Sequence, residues 1–365
     1  RIARRPRFLS KWTLWIPALA VGALAISWGR SLPLAANLVL LMMLAGAVLS
    51  AVHHAEVVAH RVGEPFGSLV LAVAVTVIEV GLIVTLMAAG GPDASSLARD
   101  TVFAAVMITC NGIVGLSLLL GAIRHRVVLF NAEGTGAALA TVTALATTCL
   151  VLPTFTTSAS GPEFSPAQLV FAAIASVTLY VMFVVTQTIR HRDFFLPVGP
   201  DGATEHQEHA LPPSRRAAAI SLAMLFVSLI AVVGLAKLQS PAIESAVAAA
   251  GFPHAFVGVV IALLVLLPET LAATRAARKN RVQTSLNLAF GSAMASIGLT
   301  IPTIAVATIW LDGPLVLGLG PTQMVLLALT TVFGVLTVVP GRATRLQGGV
   351  HLVVLAAFLF LAINP

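Results

Sequence analysis

The fold is decided by two stretches, Leu69-Val-Leu-Ala-Val-Ala-Val-Thr-Val-Ile-Glu79-Val-Gly-Leu-Ile83 and Val259-Val-Ile-Ala-Leu-Leu-Val-Leu-Leu-Pro-Glu269-Thr-Leu-Ala-Ala273. Each places one glutamate inside a long apolar run. A carboxylate at membrane depth is costly and by default marks an ion or proton path. Two such residues, in corresponding positions of two chain halves, are typical of one midplane site in a transporter built from repeats.

The composition around these stretches is that of a polytopic membrane protein. Of 365 residues, 58% are hydrophobic and 10% are charged, and the mean hydropathy is +0.99. Soluble domains carry roughly 25% charged residues. The net charge of +7 does not indicate a nucleic-acid partner, because the basic residues fall in loops between apolar runs, as the positive-inside rule expects. The partners implied are membrane lipid and the transported ions; the oligomeric state stays open.

Eleven helical spans are predicted, each about 20 residues or longer, giving an all-α integral membrane fold. The predicted spans are residues 12–29, 32–60, 65–90, 100–121, 134–153, 166–188, 217–237, 245–274, 283–310, 321–339 and 347–363. Of the 21 Lys and Arg residues, 18 fall on one side of this layout, and only Arg30, Arg99 and Lys237 fall on the other. This bias predicts a cytoplasmic N-terminus and an external C-terminus.

The chain is predicted to divide into a leading segment, two repeats and a linker. Residues 1–30 form a basic segment with the first helix, and residues 31–189 and 217–365 form five-helix groups. Because five is odd, the two groups enter the membrane in opposite directions, which is the topology of an inverted repeat. The cytoplasmic linker, 190–216, is rich in proline and contains the polar cluster Glu205-His-Gln-Glu-His209, which we interpret as solvated.

Glu79 and Glu269 are the predicted cation- and proton-binding residues. The apolar runs around them hold no Lys or Arg, so each carboxylate must take up a proton or bind a cation. Their combined charge matches one divalent hard cation with oxygen ligands. Protons and metal then compete for the same oxygens, which is the minimal requirement for exchange. The alternative is a protonated glutamate that makes an interhelical hydrogen bond.

Several neighbours are candidate secondary ligands or path residues. Pro268 removes a backbone hydrogen bond and frees a carbonyl, although it can also be a plain packing kink. Thr76 lies one turn before Glu79 on the same face, but its hydroxyl can instead bond back to the helix. The remaining candidates are small or polar residues early in the following helix of each group. They are Asn111, Ser292 and Ser296.

A polar face lies at the inner end of the second span. His53, Glu56, His60 and Glu64 follow i, i+3, i+7 and i+11, so they share one side of a helix. A pH-sensitive inner vestibule and an ordinary interfacial face are both open interpretations. The spacing is not the His-Glu-x-x-His pattern of zinc proteases.

These segments resemble the cation/proton exchanger branch of the calcium/cation antiporter superfamily. The run Gly63-Glu-Pro-Phe-Gly67-Ser-Leu69 followed by Glu79 is similar to the first repeat of that superfamily, and Glu269, Lys279-Asn280, Gly291-Ser292-Ala293 and Pro302 are similar to the second. Two features depart from the general pattern. Val75-Thr76 and Val265-Leu266 stand where Gly-Asn is usual, and Thr270 stands where the second repeat has His. Those departures are similar to the bacterial ChaA-type calcium/proton antiporters.

The resemblance implies efflux of cytoplasmic Ca²⁺ driven by proton entry across a bacterial inner membrane. It implies no resident cofactor, with Ca²⁺ and H⁺ as transported ions. A sodium or potassium/proton antiporter of the same fold is the main alternative. A passive cation channel, and an intramembrane metallo-hydrolase that uses His53, Glu56 and His60, are the alternatives from other classes.

Overall fold

The helical elements follow the apolar runs of the sequence. The structure, a computed structural model, describes residues 11–30, 32–63, 66–89, 95–198, 212–310 and 313–365. The helices within these ranges are α1 (Lys11–Ser27), α2 (Leu34–Val62), α3 (Phe66–Ala89), α4 (Leu97–Met107), α5 (Val114–His125), α6 (Ala132–Ala146), α7 (Pro166–Val185), α8 (Arg215–Ala249), α9 (Phe256–Val265), α10 (Leu267–Arg278), α11 (Val282–Gly298), α12 (Thr300–Ala307), α13 (Pro321–Val338) and α14 (Arg345–Ile363).

Short π-helical turns interrupt or extend three of the spans. One of them, Ile108–Ile113, joins α4 to α5, and the others are Thr147–Val151 after α6 and Thr186–Arg190 after α7. A π-turn widens the helix by one residue and often lies at a functional site. Two loops pair as a small antiparallel sheet, in which β1 (Val128–Leu129) meets β2 (Arg342–Ala343).

The predicted all-helical membrane fold is confirmed. Nine helical segments among the described residues are long and apolar enough to cross a membrane, and the bent pair α9–α10 makes ten if it is one span. Trp12–Ser27 of α1 is a shorter apolar helix. These elements are compatible with eleven spans, although that count stays a prediction.

The predicted boundary between the seventh and eighth spans is wrong. Helix α8 runs unbroken to Ala249, so residues 238–249 continue the seventh span, and the next helix begins at Phe256. The hydropathy falls here because of polar residues, but their hydrogen bonds are made inside the protein. The Ser240 hydroxyl donates to Glu244 at 2.9 Å, one turn later. The Gln239 amide donates to Asn37 of α2 at 3.3 Å.

The chain forms two compact units, and each takes segments from both halves of the sequence. The first comprises Arg1–Ala89 with His209–Ser245, and the second comprises Gly90–Glu208 with Ala246–Pro365. The units are groups of helices that pack together. The predicted repeats at 31–189 and 217–365 are instead groups of consecutive helices that enter the membrane in opposite directions. The repeat boundaries therefore stay a prediction.

The first unit packs α1, α2, α3 and most of α8 through small residues and one buried histidine. A Cβ added to Gly46 of α2 would lie 3.0 Å from Ile16 of α1, and one added to Gly81 of α3 would lie 2.7 Å from Val233 of α8. His54 of α2 lies 3.2 Å from the Ser221 hydroxyl of α8. Small residues at these crossings let helices approach closely in a membrane.

The second unit contains α4 to α7 and α9 to α14. One close helix crossing joins α5 to α14, where a Cβ added to Gly348 would lie 2.6 Å from the backbone nitrogen of Leu119. Helix α4 crosses α9 in a similar way, since a Cβ on Gly258 would lie 2.8 Å from the nitrogen of Thr101. Helices α10 and α11 pack together, and both contact the π-turn at Ile108–Ile113. This cluster of α10, α11 and the π-turn holds five of the predicted site residues, which are Asn111, Pro268, Glu269, Ser292 and Ser296.

Candidate functional site

Glu79 lies in the middle of an unbroken helix in the first unit. Its side chain is 2% exposed, and Thr76, one turn earlier, is 7% exposed. The Thr76 hydroxyl has no hydrogen-bond partner among the described residues. Thr85 of the same helix does bond back, to the Gly81 carbonyl at 2.6 Å. The alternative of a back-bonded Thr76 is therefore not what the structure shows, and its hydroxyl oxygen is free to serve as a ligand.

Glu269 lies at a break in the membrane helix of the second unit. Helices α9 and α10 meet at an angle of 54°, and Glu269 falls in the first turn of α10. Pro268 has no N–H, so the Leu264 carbonyl receives no i+4 hydrogen bond. A helix start favours a negative charge through the helix dipole, and Glu269 occupies such a position. A bend thus exists where the sequence predicted a broken helix, and its role in ion binding stays a prediction.

The helix after this break presents small and hydroxyl side chains. In α11, Ser296 is buried and Ser292 is half-buried. A Cβ added to Gly291 would meet no atom within 4 Å, so there is open space at this position of α11. Small residues beside a break of this kind can line an ion path.

Asn111 lies in the π-turn, and its side-chain amide is fully buried. Its Nδ2 donates to the Thr330 hydroxyl at 2.8 Å, and its Oδ1 lies 3.2 Å from Nδ1 of His351. Nε2 of that histidine lies 3.1 Å from the Thr337 hydroxyl. The structure therefore places Asn111 in a buried polar chain with α13 and α14.

Sequence reasoning missed the partners of Asn111, which are Thr330, Thr337 and His351. A usable signal existed for one of them. His351 is an ionisable residue inside the apolar run Val350-His-Leu-Val-Val-Leu-Ala-Ala-Phe358, and such residues mark functional positions by default. The two threonines carry no comparable signal, because hydroxyls that bond back to the helix are common in membrane spans.

The predicted inner vestibule is only partly described. His53 and Glu56 are half-buried, His60 is exposed, and Glu64 lies outside the described residues, as does the cluster 205–209. The fully buried histidine is His54, whose Nε2 lies 3.0 Å from the Thr13 carbonyl of α1. Among the residues that the structure describes, no group of three or more His, Cys, Asp or Glu could hold a metal ion.

The predicted residues fall into both units. Thr76 and Glu79 belong to the first, whereas Asn111, Pro268, Glu269, Ser292 and Ser296 belong to the second. The prediction that the two glutamates serve one midplane site stays a prediction from the sequence.

Comparison with known proteins supports the predicted class, a membrane transporter of cations. Residues 32–189 and 220–364 match the family described as sodium/calcium exchanger protein. The chain is 45% identical to y4hA of Sinorhizobium fredii, provisionally named an ionic transporter, over 100% of this chain and 99% of that protein. It is 36% identical to the sodium-potassium/proton antiporter ChaA of Escherichia coli, covering 95% and 94% of the two chains.

A solved structure shares the fold. The crystal structure of the H⁺/Ca²⁺ exchanger CAX superposes with a TM-score of 0.67 at 17% identity, covering 97% of this chain and 92% of that one. The family match spans most of the chain, and the apolar helices are those of an integral membrane protein. The chain therefore belongs to the sodium/calcium exchanger family, as a cation antiporter of the calcium/cation antiporter superfamily and a secondary transporter rather than an enzyme.

Proposed function

We propose that this antiporter exchanges cytoplasmic Ca²⁺ for external protons by alternating access, with Glu79 and Glu269 as the groups that carry the ions. The observation that carries this proposal is a carboxylate within each of two membrane helices, one 2% exposed and one in the first turn after a helix break. In a low dielectric, a proton and a cation compete to neutralise a carboxylate. Binding one ion therefore releases the other.

The donor groups favour a hard cation. Carboxylates, the Thr76 hydroxyl and backbone carbonyls are all oxygen ligands, which suit Ca²⁺ better than a soft transition metal. The Leu264 carbonyl freed by Pro268 is a candidate of the last kind. Two negative charges match one divalent ion, and the fold is shared with a protein named an H⁺/Ca²⁺ exchanger. Ca²⁺ and H⁺ are substrates in this scheme, and no resident cofactor is required.

Sodium or potassium exchange against protons is the second candidate. The name of the E. coli relative, sodium-potassium/proton antiporter, favours it at 36% identity. A monovalent ion would use the same carboxylates with fewer ligands, because Na⁺ and K⁺ need only one negative charge. Direct transport measurements separate the two candidates.

The test is a proton-flux assay in proteoliposomes that hold a preformed pH gradient and a trapped pH-sensitive dye. Addition of Ca²⁺, Na⁺, K⁺, Mg²⁺ or Mn²⁺ in separate runs shows which cation moves protons. Dissipation by Ca²⁺, matched by ⁴⁵Ca²⁺ uptake, supports the proposal, whereas dissipation by Na⁺ or K⁺ alone supports the second candidate. Cation flux without proton countermovement would indicate a channel and overturn both, as would no flux at all. Protein-free liposomes serve as the control.

A further inference from the structure

Three helical elements of the second unit are joined by one directed chain of hydrogen bonds. The Thr330 hydroxyl donates to the Leu326 carbonyl at 2.7 Å, which commits its hydrogen. Thr330 must then accept from Nδ2 of Asn111 at 2.8 Å, so Oδ1 of Asn111 faces His351. Oδ1 only accepts, and therefore Nδ1 of His351, 3.2 Å away, carries the hydrogen. Nε2 is left as the acceptor for the Thr337 hydroxyl at 3.1 Å.

Burial makes this arrangement rigid. Asn111 is 0% exposed, His351 1%, Thr330 3% and Thr337 6%. In such surroundings an amide with a missing partner is costly, and each satisfied bond is stronger than in water. Reversal of the amide would set Oδ1 against a hydroxyl whose hydrogen is already used. The Thr330 end therefore determines the orientation of the Asn111 side chain, and the His351 tautomer that this orientation selects donates to Oδ1.

Among the residues that the structure describes, the amide oxygen of Asn111 has one partner and therefore one remaining acceptor position. A side-chain carbonyl oxygen has two lone pairs, and His351 uses one of them. The π-turn that holds Asn111 contacts both α10 and α11, the helices of Glu269, Ser292 and Ser296. A neutral oxygen held in a fixed orientation beside these helices is a suitable partner for a hard cation.

We propose that His351 and Thr330 are positioning residues, which hold the Asn111 amide so that its oxygen faces the transported cation. This inference rests on the proposed function and deepens it. Without His351 the amide oxygen loses the donor that holds it in place, and only the bond to Thr330 then restrains the amide. Partners that orient a metal ligand typically affect metal affinity by about 10–100-fold when they are lost. The loss should therefore appear in the cation KM rather than in the turnover.

Two histidine replacements separate positioning from mere packing. In His351→Asn the side-chain amide nitrogen occupies the place of Nδ1 and still donates to Asn111. In His351→Gln the amide lies near the place of Nε2, so it can reach Thr337 but not Asn111. Thr337→Val removes the partner on the other side and leaves the bond between His351 and Asn111 in place.

The measurements are the KM and kcat of cation-driven proton flux in proteoliposomes, and the rise in Tm of the detergent-purified protein on addition of Ca²⁺. We expect His351→Gln to raise KM by about tenfold or more, to keep kcat nearly unchanged, and to weaken the Ca²⁺-induced rise in Tm. We expect His351→Asn and Thr337→Val to behave like the wild type. An unchanged KM in a folded His351→Gln protein overturns the inference, and so does an equal rise in KM in Thr337→Val.

If His351→Gln does not fold, Thr330, at the other end of the hydrogen-bond chain, supplies the same test. Thr330→Val removes the acceptor for Nδ2, whereas Thr330→Ser retains it, so only the valine variant should raise KM. Equal values for these two variants overturn the inference. Absence of cation-driven proton flux in the wild-type protein would overturn the proposed function itself. Normal wild-type flux together with an unchanged cation KM in His351→Gln would overturn only the positioning role.

Discussion

Glu269 directly follows Pro268 at a 54° bend between two membrane helices, so this carboxylate lies at a helix start. Glu79 lies within a continuous helix that runs from Phe66 to Ala89. The two acids that the sequence makes look equivalent therefore have different backbone surroundings. Glu269 lies in the first turn of α10, whereas Glu79 lies in the interior of α3. We expect both residues to be essential, because each carboxylate is proposed to exchange a proton for a cation.

Replacing either glutamate with glutamine should abolish cation-driven proton flux. Glutamine has nearly the same volume, but it can neither release a proton nor carry the charge that a cation needs. The variants Glu79→Gln and Glu269→Gln should fold, because a neutral amide costs less at membrane depth than a carboxylate. Flux in proteoliposomes and elution from a sizing column measure activity and folding separately. Near-normal exchange by either variant would refute the assignment of that residue.

Loss of the buried Thr76 hydroxyl should raise stability while it weakens cation binding. Within the described part of the chain this hydroxyl is buried without a hydrogen-bond partner, and such a group costs about 1–3 kcal/mol. Thr76→Val has the same shape without the hydroxyl, so we expect a higher Tm together with a higher cation KM. Thr76→Ser retains the oxygen and serves as the control. If KM is unchanged in Thr76→Val, the hydroxyl is not a ligand.

Pro268→Ala should slow transport without loss of folding. Alanine restores an N–H that can donate to the Leu264 carbonyl, so the bend can close and a candidate ligand is lost. Pro321 begins α13, where a proline breaks no helical hydrogen bond, and Pro321→Ala is therefore the matched control. We expect the cation-driven flux to fall further in Pro268→Ala than in this control. Equal rates in the two variants would show that the bend is only a packing feature.

The predicted orientation can be tested with reporters fused after Pro365. A positive-inside bias of 18 to 3 in Lys and Arg predicts a cytoplasmic N-terminus and an external C-terminus. Alkaline phosphatase is active only outside the cytoplasm, and green fluorescent protein folds well only inside it. The phosphatase fusion should thus be active and the fluorescent fusion dark. The opposite pattern would reverse the membrane orientation and with it the proposed direction of Ca²⁺ transport.

Helix positions that depend on apolar runs can be predicted from the sequence. Features that depend on hydrogen bonds between polar residues far apart in the chain cannot. The positions of α2, α3 and α13 follow from hydropathy alone. The end of α8 was misplaced because Gln239 and Ser240 look like a loop, although both make hydrogen bonds within the first unit. Asn111 was recognised as a polar residue in a membrane helix, but its bond to His351 joins residues 240 positions apart. No local pattern shows such a pairing, and the same holds for the π-turn that contains Asn111.

The neighbouring glycines of α14 should respond in opposite ways to the same substitution. A Cβ on Gly348 would lie 2.6 Å from the Leu119 nitrogen and 2.9 Å from the Gly115 carbonyl oxygen, whereas a Cβ on Gly349 would meet nothing within 4 Å. The atoms that Gly348→Ala would strike belong to the backbone, so α5 and α14 must separate. Overpacking of this kind costs about 1–3 kcal/mol. In Gly349→Ala the better helix propensity of alanine should instead give about 1 kcal/mol of stabilisation or less.

Thermal unfolding of the purified variants in one detergent measures this difference. We expect Tm to fall in Gly348→Ala and to stay level or rise in Gly349→Ala. The separation of α14 from α5 should also disturb the bond between His351 and Asn111, because His351 lies one turn after Gly348. His351 also packs closely against α5, since a Cβ added to Gly115 would lie 2.9 Å from the Cβ of His351. The cation KM should consequently rise in Gly348→Ala and remain normal in Gly349→Ala. Equal Tm values for the two variants would contradict the close crossing of these helices.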